Sequence, residues 1–165
     1  MNRTLRGFSL VELMVVIAIV GISVAIGLPS FVPIISKIRM EGEISALLSG
    51  LNFARSEAVK RGLSVSVCPS TDGINCTTGT SWTTGWIVLL QGSPTQLLQV
   101  TPALSRDSLT STSVATPSYP QFTPMGYTFF TGTLTLHDAS NTQSLYRCIA
   151  FASGSWTSKL GAACP

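Results

Sequence analysis

Few side chains in this 165-residue sequence could do chemistry, and the most telling of them is an acid in an apolar setting. Glu12 stands at the front of a stretch that carries no further charge until Lys37. A carboxylate drawn to the centre of a membrane-spanning helix costs roughly 2.5–3.5 kcal/mol. From Leu13 to Ser36 the chain supplies 24 uncharged residues rich in Val, Ile, Leu and Ala, so it offers Glu12 no internal counter-charge. The chemistry implied is ion pairing with a group on another chain, because two charges that are each costly in lipid become tolerable when they neutralise one another.

The four cysteines, Cys68, Cys76, Cys148 and Cys164, are the next reactive set. Four cysteines allow three pairings. Proximity in sequence favours Cys68–Cys76, with seven residues between, and Cys148–Cys164, with fifteen. Closing a loop of the larger size contributes on the order of 3 kcal/mol in the chain-entropy picture. Metal binding is the rival chemistry, but the chain has no C-x-x-C spacing and a single histidine, so no metal or other cofactor is expected. Disulfides place the C-terminal region in an oxidising compartment outside the cytoplasm.

The remaining candidates read as structural. His137 follows the alternating Leu134-Thr135-Leu136 and precedes a turn signal, which suits a surface residue at a strand end better than a catalytic base. No G-x-S-x-G elbow or glycine-rich phosphate loop occurs. Asp72, Asp107 and Asp138 are expected in turns, not as an acid–base pair. Trp82, Trp86 and Trp156 are expected in the core, with an exposed contact for another subunit as the alternative. Arg147 and Lys159 are the basic groups near or within the second cysteine loop, and both are expected to be solvated. These residues support no enzymatic reading.

Charge is distributed to match. Arg3 and Arg6 precede Phe8; without residues 1–7 the chain keeps eight Lys and Arg against seven Asp and Glu. From Leu63 onward, Arg106, Arg147 and Lys159 balance Asp72, Asp107 and Asp138. A neutral region lacks the electrostatic footprint that a polyanion requires, which counts against a nucleic-acid receptor. Ser and Thr make up 33 of these last 103 residues, so hydroxyls keep the surface soluble.

The elements that must position these groups follow from periodicity. About 20 apolar residues span a bilayer, and the charge-free run exceeds that. A removable secretory signal has a shorter apolar core, although Ala25-Ile26-Gly27 imitates its cleavage site. An ordinary single-span anchor would leave Glu12 without purpose. Beyond Pro33, Ile44, Leu47, Leu48, Leu51, Ala54 and Ala58 recur at helical spacing. Glu41, Glu43, Arg55, Glu57, Lys60 and Arg61 occupy the other face, with Glu57 and Arg61 four apart in the favourable order. Gly62 is the expected C-cap. The period then changes to two. Expected strands are Leu63–Val67, Trp86–Leu90, Gln96–Val100, about Leu109–Val114, Tyr127–Phe130, Thr133–His137 and Leu145–Phe151, separated by Pro-, Gly- and Asn-rich turns.

The order Gly7-Phe8-Ser9-Leu10-Val11-Glu12 resembles the processing site of type IV prepilins and type II secretion pseudopilins. The resemblance implies that a prepilin peptidase cuts after Gly7 on the cytoplasmic side and methylates the new N-terminus at Phe8. It implies that Glu12 pairs with the terminal amine of a neighbouring subunit during assembly, and that Pro29 kinks the helix. Arg3 and Arg6 keep the leader inside by the positive-inside rule. Gln121-Phe-Thr-Pro-Met-Gly126, Gly132-Thr-Leu-Thr-Leu136 and Tyr146-Arg-Cys-Ile-Ala-Phe-Ala-Ser-Gly154 narrow the resemblance to the minor pseudopilin H group, which includes the FimT and FimU minor pilins. Members of that group are implied to sit at or near a filament tip and help start assembly. Some bind DNA for uptake through a Gly-Arg-x-Arg stretch, where this chain reads Gly154-Ser155-Trp156-Thr157, so Arg147 and Lys159 are left as the only DNA-contact candidates.

The expected architecture is α+β. Residues 1–7 form a leader, 8–36 a transmembrane and filament-core helix, 37–62 its amphipathic half, and 63–165 a disulfide-bonded β-rich head packed on that half as one antiparallel sheet or two. The implied partners are other pilin subunits, the prepilin peptidase and the inner membrane, with the head outside the cytoplasm. The resemblance leaves a pilus, leaned to for the paired cysteine loops, and a type II secretion pseudopilus both open.

Overall fold

A computed structural model describes residues 7–113, 117–138, 146–152 and 154–160, with side chains at 26–32 and 160 outside the description. The chain forms two compact units, Met1–Ile38 and Arg39–Pro165. The first is helical from Leu10, the start of α1 (Leu10–Arg61). Ser9 precedes it as the capping position, its carbonyl accepting the Leu13 amide at 3.2 Å. Side chains from Leu10 to Val24 are exposed on every side of this helical stretch, Leu10 at 73% and Ile22 at 63%. Among the described residues no helix is long and apolar enough to cross a membrane; the described side chains of this stretch stop at Ala25. Part of the expected span, Pro29 included, therefore lies outside the described side chains, although α1 is assigned without interruption through it.

The second unit is an α+β assembly. Met40, Ile44, Leu47, Leu51, Ala54 and Ala58 are buried, as helical spacing requires. They meet two four-stranded antiparallel sheets in one core. The strands are β1 (Val65–Pro69), β2 (Trp86–Leu90), β3 (Gln96–Thr101), β4 (Asp107–Ser111), β5 (Gln121–Phe122), β6 (Gly132–Asp138), β7 (Tyr146–Ala152) and β8 (Ser155–Leu160). The first sheet has the order β3-β2-β1-β5 and the second β4-β6-β7-β8. Leu109, Leu134, Leu136, Ile149 and Phe151 carry the second sheet into the same core. Each large aliphatic side chain so buried contributes about 1.5–3 kcal/mol. Gly62 ends α1 at a φ of 65°, in the left-handed region a C-cap favours.

Several strand expectations shift. β1 begins at Val65 and reaches Pro69, because Gly62 reverses the chain and Leu63 and Ser64 lead into the ladder. β4 starts at Asp107 instead of Leu109 and stops at Ser111. Tyr127–Phe130 is not a strand: Gly126 turns at a φ of 77°, and a single bridge joins Phe122 to Thr128. β5 and β8 were not expected. Two residues are too few for a period, and Ser155-Trp-Thr-Ser-Lys-Leu160 has no apolar alternation. The available signal for β8 was Gly154, whose φ of 82° closes the hairpin that pairs Ala152 with Ser155.

Cys68 and Cys76 form the expected disulfide, which ties the loop after β1 over the outer face of the first sheet, beside Ile87 and Leu89. Within this loop Asp72 is a turn residue, accepting the Ile74 and Asn75 amides at 2.8 Å each. Those amides hold its carboxyl well below the usual carboxylate range. The paired substitution Cys68→Ala and Cys76→Ala is expected to cost about 2–3 kcal/mol for a loop of this size, read as a lower melting temperature of the full chain in detergent. Cys148 is disulfide-bonded, but its expected partner Cys164 lies outside the described residues.

Candidate functional site

The residues of the N-terminal site are open to a partner. Gly7 has nothing within 4 Å of where a side chain would start, and Phe8 is 81% exposed. Glu12 is exposed in the first turn of α1, where a carboxylate is favoured by the unsatisfied amides of the helix start. Arg3 and Arg6 lie outside the described residues.

Two acids of the second unit, Asp107 and Asp138, do not behave as surface groups. Asp107 opens β4 and Asp138 closes β6, and the ladder sets them directly opposite one another. Like charges at such a pair destabilise a sheet, and both side chains are buried. Arg39 of α1 resolves the conflict. Its Nε and Nη2 donate to the two Asp107 oxygens at 2.8 Å each, and Nη2 also donates to Asp138 at 2.9 Å. The Asp107 contact is the main reason the Arg39 guanidinium is held further toward its charged form. Asp107 and Asp138 are therefore clamp residues, not the turn residues expected from sequence: a turn acid faces water, whereas these are enclosed between helix and strands.

Glu43, one turn after Arg39, closes the group. Its Oε2 is buried without a hydrogen-bond partner. Burial first, then the adjacent Asp107 carboxyl, pushes its pKa up to about 7, against a partial opposing pull from Arg39. As an acid, Glu43 gains a donor that Asp107 can accept. The folded chain thus holds this proton more tightly than the unfolded chain, where the ordinary value is near 4.5. Stability attached to Glu43 is present below pH 4.5 and is lost as pH rises toward 7. Glu43→Gln should remove that slope and stabilise the chain above neutrality by on the order of 1 kcal/mol, after allowance for the group's partial exposure. Melting curves across that window check it; parallel curves for the two proteins would refute it.

Other charged groups pair along the same helix. Arg147 of β7 is buried at 6% exposure and donates through Nε and Nη2 to Glu41. It is not the solvated residue expected from sequence, because β7 is an inner strand and faces α1. Lys159 on β8 is exposed, and with Arg147, Glu41, Ser45 and Ser158 it lines a shallow depression of about 270 Å³. Glu57 is also buried and held by Arg61 and Lys60, which lowers its pKa chiefly through the Arg61 hydrogen bond.

Trp82 and Trp86 are fully enclosed, so neither is available to a partner. Trp156 is half-buried, edge-on to Phe122 at 5.5 Å, with the Arg55 guanidinium 5.7 Å from its ring centre. His137 is the penultimate residue of β6, half-buried and stacked on Tyr146 at 5.5 Å. Among the described residues no group of three His, Cys, Asp or Glu side chains is arranged to hold a metal ion. The groups that sequence reasoning missed are the Arg39 clamp and the Glu41–Arg147 pair. The i, i+4 spacing of Arg39 and Glu43 was visible, but partners 68 and 99 residues away from Arg39 were not.

Comparison with known proteins bears on both units. Residues 43–154 match the family described as Type II transport protein GspH, and residues 2–28 match the Prokaryotic N-terminal methylation motif. The type IV major alpha-pilin of Moraxella bovis is 40% identical over 75 residues, covering 44% of this chain and 47% of that protein, so the match spans about half the length of the relative. Crystal structures of the type IV minor pilin FimU from Pseudomonas aeruginosa are similar in fold. One superposes with a TM-score of 0.52 at 21% identity, covering 78% of this chain and 96% of that one. A second gives 0.54 at 17% identity, covering 81% and 99%. At these identities the likeness speaks for the fold alone, a helix packed with antiparallel sheets.

Proposed function

The chain belongs to the GspH family of type IV pilin-like proteins, matched from residue 43 to 154, and on that premise we propose that it is a minor subunit of an extracytoplasmic filament, trimmed and methylated at its N-terminus before assembly. The reading assigns residues 1–7 to the leader, with cleavage between Gly7 and Phe8 and methylation of the Phe8 amine. Residues 8–36 anchor the chain in the inner membrane as a single pass and later join the filament core. Residues 37–62 carry the head, 63–165, on the periplasmic side. Pro29 is assigned the kink that adapts this helix to its neighbours.

The observation that carries the proposal is Glu12, the single charged side chain between Phe8 and Ser36, set in a stretch of α1 whose apolar side chains from Leu10 to Val24 are exposed all round. Cleavage at Gly7 creates the complementary charge, a free amine on Phe8 four residues before it on every copy. Assembly then brings the amine of one subunit to the carboxylate of another. Position near a filament tip and a part in starting assembly belong to this proposal.

A second reading, the minor pseudopilin of a type II secretion system, is favoured by the family description itself. It uses the same N-terminal chemistry. A third, DNA capture by the head, finds little support: Arg147 is committed to Glu41, which leaves Lys159 as the one exposed group of the two DNA-contact candidates. Gel-shift titration with short duplex DNA at low and moderate salt tests that reading.

Intact-mass measurement of the chain from cells with and without prepilin peptidase tests the main proposal. The expected product lacks residues 1–7 and carries one extra methyl group, and it is recovered in sheared filaments only when the peptidase is present. An unprocessed chain, or one that begins well beyond the apolar stretch, would overturn it.

A further inference from the structure

The two sheets have four edges, and they are not treated alike. The β4 edge is covered: Trp82 N donates to Leu109 O at 2.8 Å, and Ser111 N to Thr80 O at 2.6 Å. The β5 edge is short and closed by the turn that follows, where Thr123 N donates to Tyr127 O at 2.8 Å. The β8 edge carries Lys159, a charge of the kind that deters strand pairing. β3 has none of these protections. Its six residues, Gln-Leu-Leu-Gln-Val-Thr, contain no charge and no proline.

Ladder alternation identifies its open backbone groups. Gln91 N donates to Ser64 O and Ser70 N to Gly85 O, so residues 85, 87, 89 and 91 face β1 and Trp86, Val88 and Leu90 face β3. On β3 their partners are Thr101, Gln99 and Gln96, with a register shift between Val88 and Leu89. The amides and carbonyls of Leu97 and Val100 are therefore directed away from the sheet. Outside the β2–β3 ladder, no hydrogen bond between described residues reaches them. The side chains beside them are 40% and 49% exposed, and the loop closed by Cys68–Cys76 brings Gly73 against the Val100 side chain. Unpaired strand amides and carbonyls at fixed spacing recognise one thing, another extended backbone.

We propose that β3 accepts an extended, uncharged strand from the head of a neighbouring subunit, so that the first sheet is continued across a subunit boundary. The inference rests on the filament reading and adds a contact between heads to the pairing at Glu12. A one-sided contact of this kind is heterologous and propagates along an assembly.

Hydrogen exchange on the full chain tests it, comparing the detergent-extracted subunit with sheared filaments, together with recovery of two variants. Val100→Pro removes the outward amide while leaving the β2 ladder intact, since proline is tolerated where an edge N–H faces out. Leu97→Lys sets a charge beside the edge. The expected result is protection of peptides spanning 96–101 in filaments only, with at least tenfold lower recovery of both variants and unchanged melting of the extracted chain. Wild-type chain in filaments with β3 still exchanging, or both variants recovered at wild-type levels, overturns the strand contact and leaves the filament reading standing. Wild-type chain absent from filaments overturns both.

Discussion

Replacing Glu12 by alanine is expected to leave membrane insertion and N-terminal trimming intact and to lower recovery of the chain in sheared filaments at least tenfold. Nothing in the fold depends on Glu12, which is exposed on α1. Its proposed role begins only when a second chain arrives. A lone carboxylate in the hydrocarbon layer carries a penalty of roughly 2.5–3.5 kcal/mol, and pairing with the terminal amine of a neighbour relieves it. Each 1.4 kcal/mol of that relief is about tenfold in an association equilibrium. Glu12→Gln separates charge from shape: it keeps the side-chain volume, sits more cheaply in lipid, and cannot neutralise an amine. It should fail to assemble as alanine does. Normal recovery of either variant in filaments would refute the ion-pair mechanism while leaving family membership untouched.

Arg39→Ala is expected to destabilise the head by about 3–5 kcal/mol, the cost of leaving buried charge unpaired. The variant would set Asp107 against Asp138 across the ladder with Glu43 alongside and no cation between them. The companion substitution Asp107→Asn should recover part of the loss. Urea unfolding of the full chain in detergent measures both. An Arg39→Ala chain as stable as the wild type would show that the clamp contributes nothing. Arg39→Lys should rescue incompletely, because an ammonium cannot reproduce the two-pronged hold on Asp107.

These two predictions divide along the line between what is local in the chain and what is not. The processing motif, the apolar stretch, the buried stripe from Ile44 to Ala58, the C-cap at Gly62 and the strand Trp86–Leu90 were legible because each is written in consecutive or periodically spaced residues. The Cys68–Cys76 bond was legible because a short loop leaves little choice of partner. Tyr127–Phe130 misled because its burial does alternate, buried at Thr128 and Phe130 and exposed at Tyr127 and Phe129, yet a strand also needs a neighbour to pair with, and here one bridge serves. β8 escaped notice for the opposite reason: its hydroxyl-rich residues show no period, and it exists because β7 offers it an edge.

By itself the sequence determined the N-terminal methylation motif, the charge at Glu12, the helical face that is buried and the α+β class, since each depends on spacing along one stretch of chain. The tertiary structure alone decided that Asp107 and Asp138 face each other, that Arg39 must stand between them, that burial raises the pKa of Glu43, that Arg147 belongs to Glu41 and that β3 is the uncharged open edge. Those features arise when the ladder register and the path of α1 bring together groups that are tens of residues apart. Charge–charge energies depend on distance and burial, and neither exists until the chain has folded.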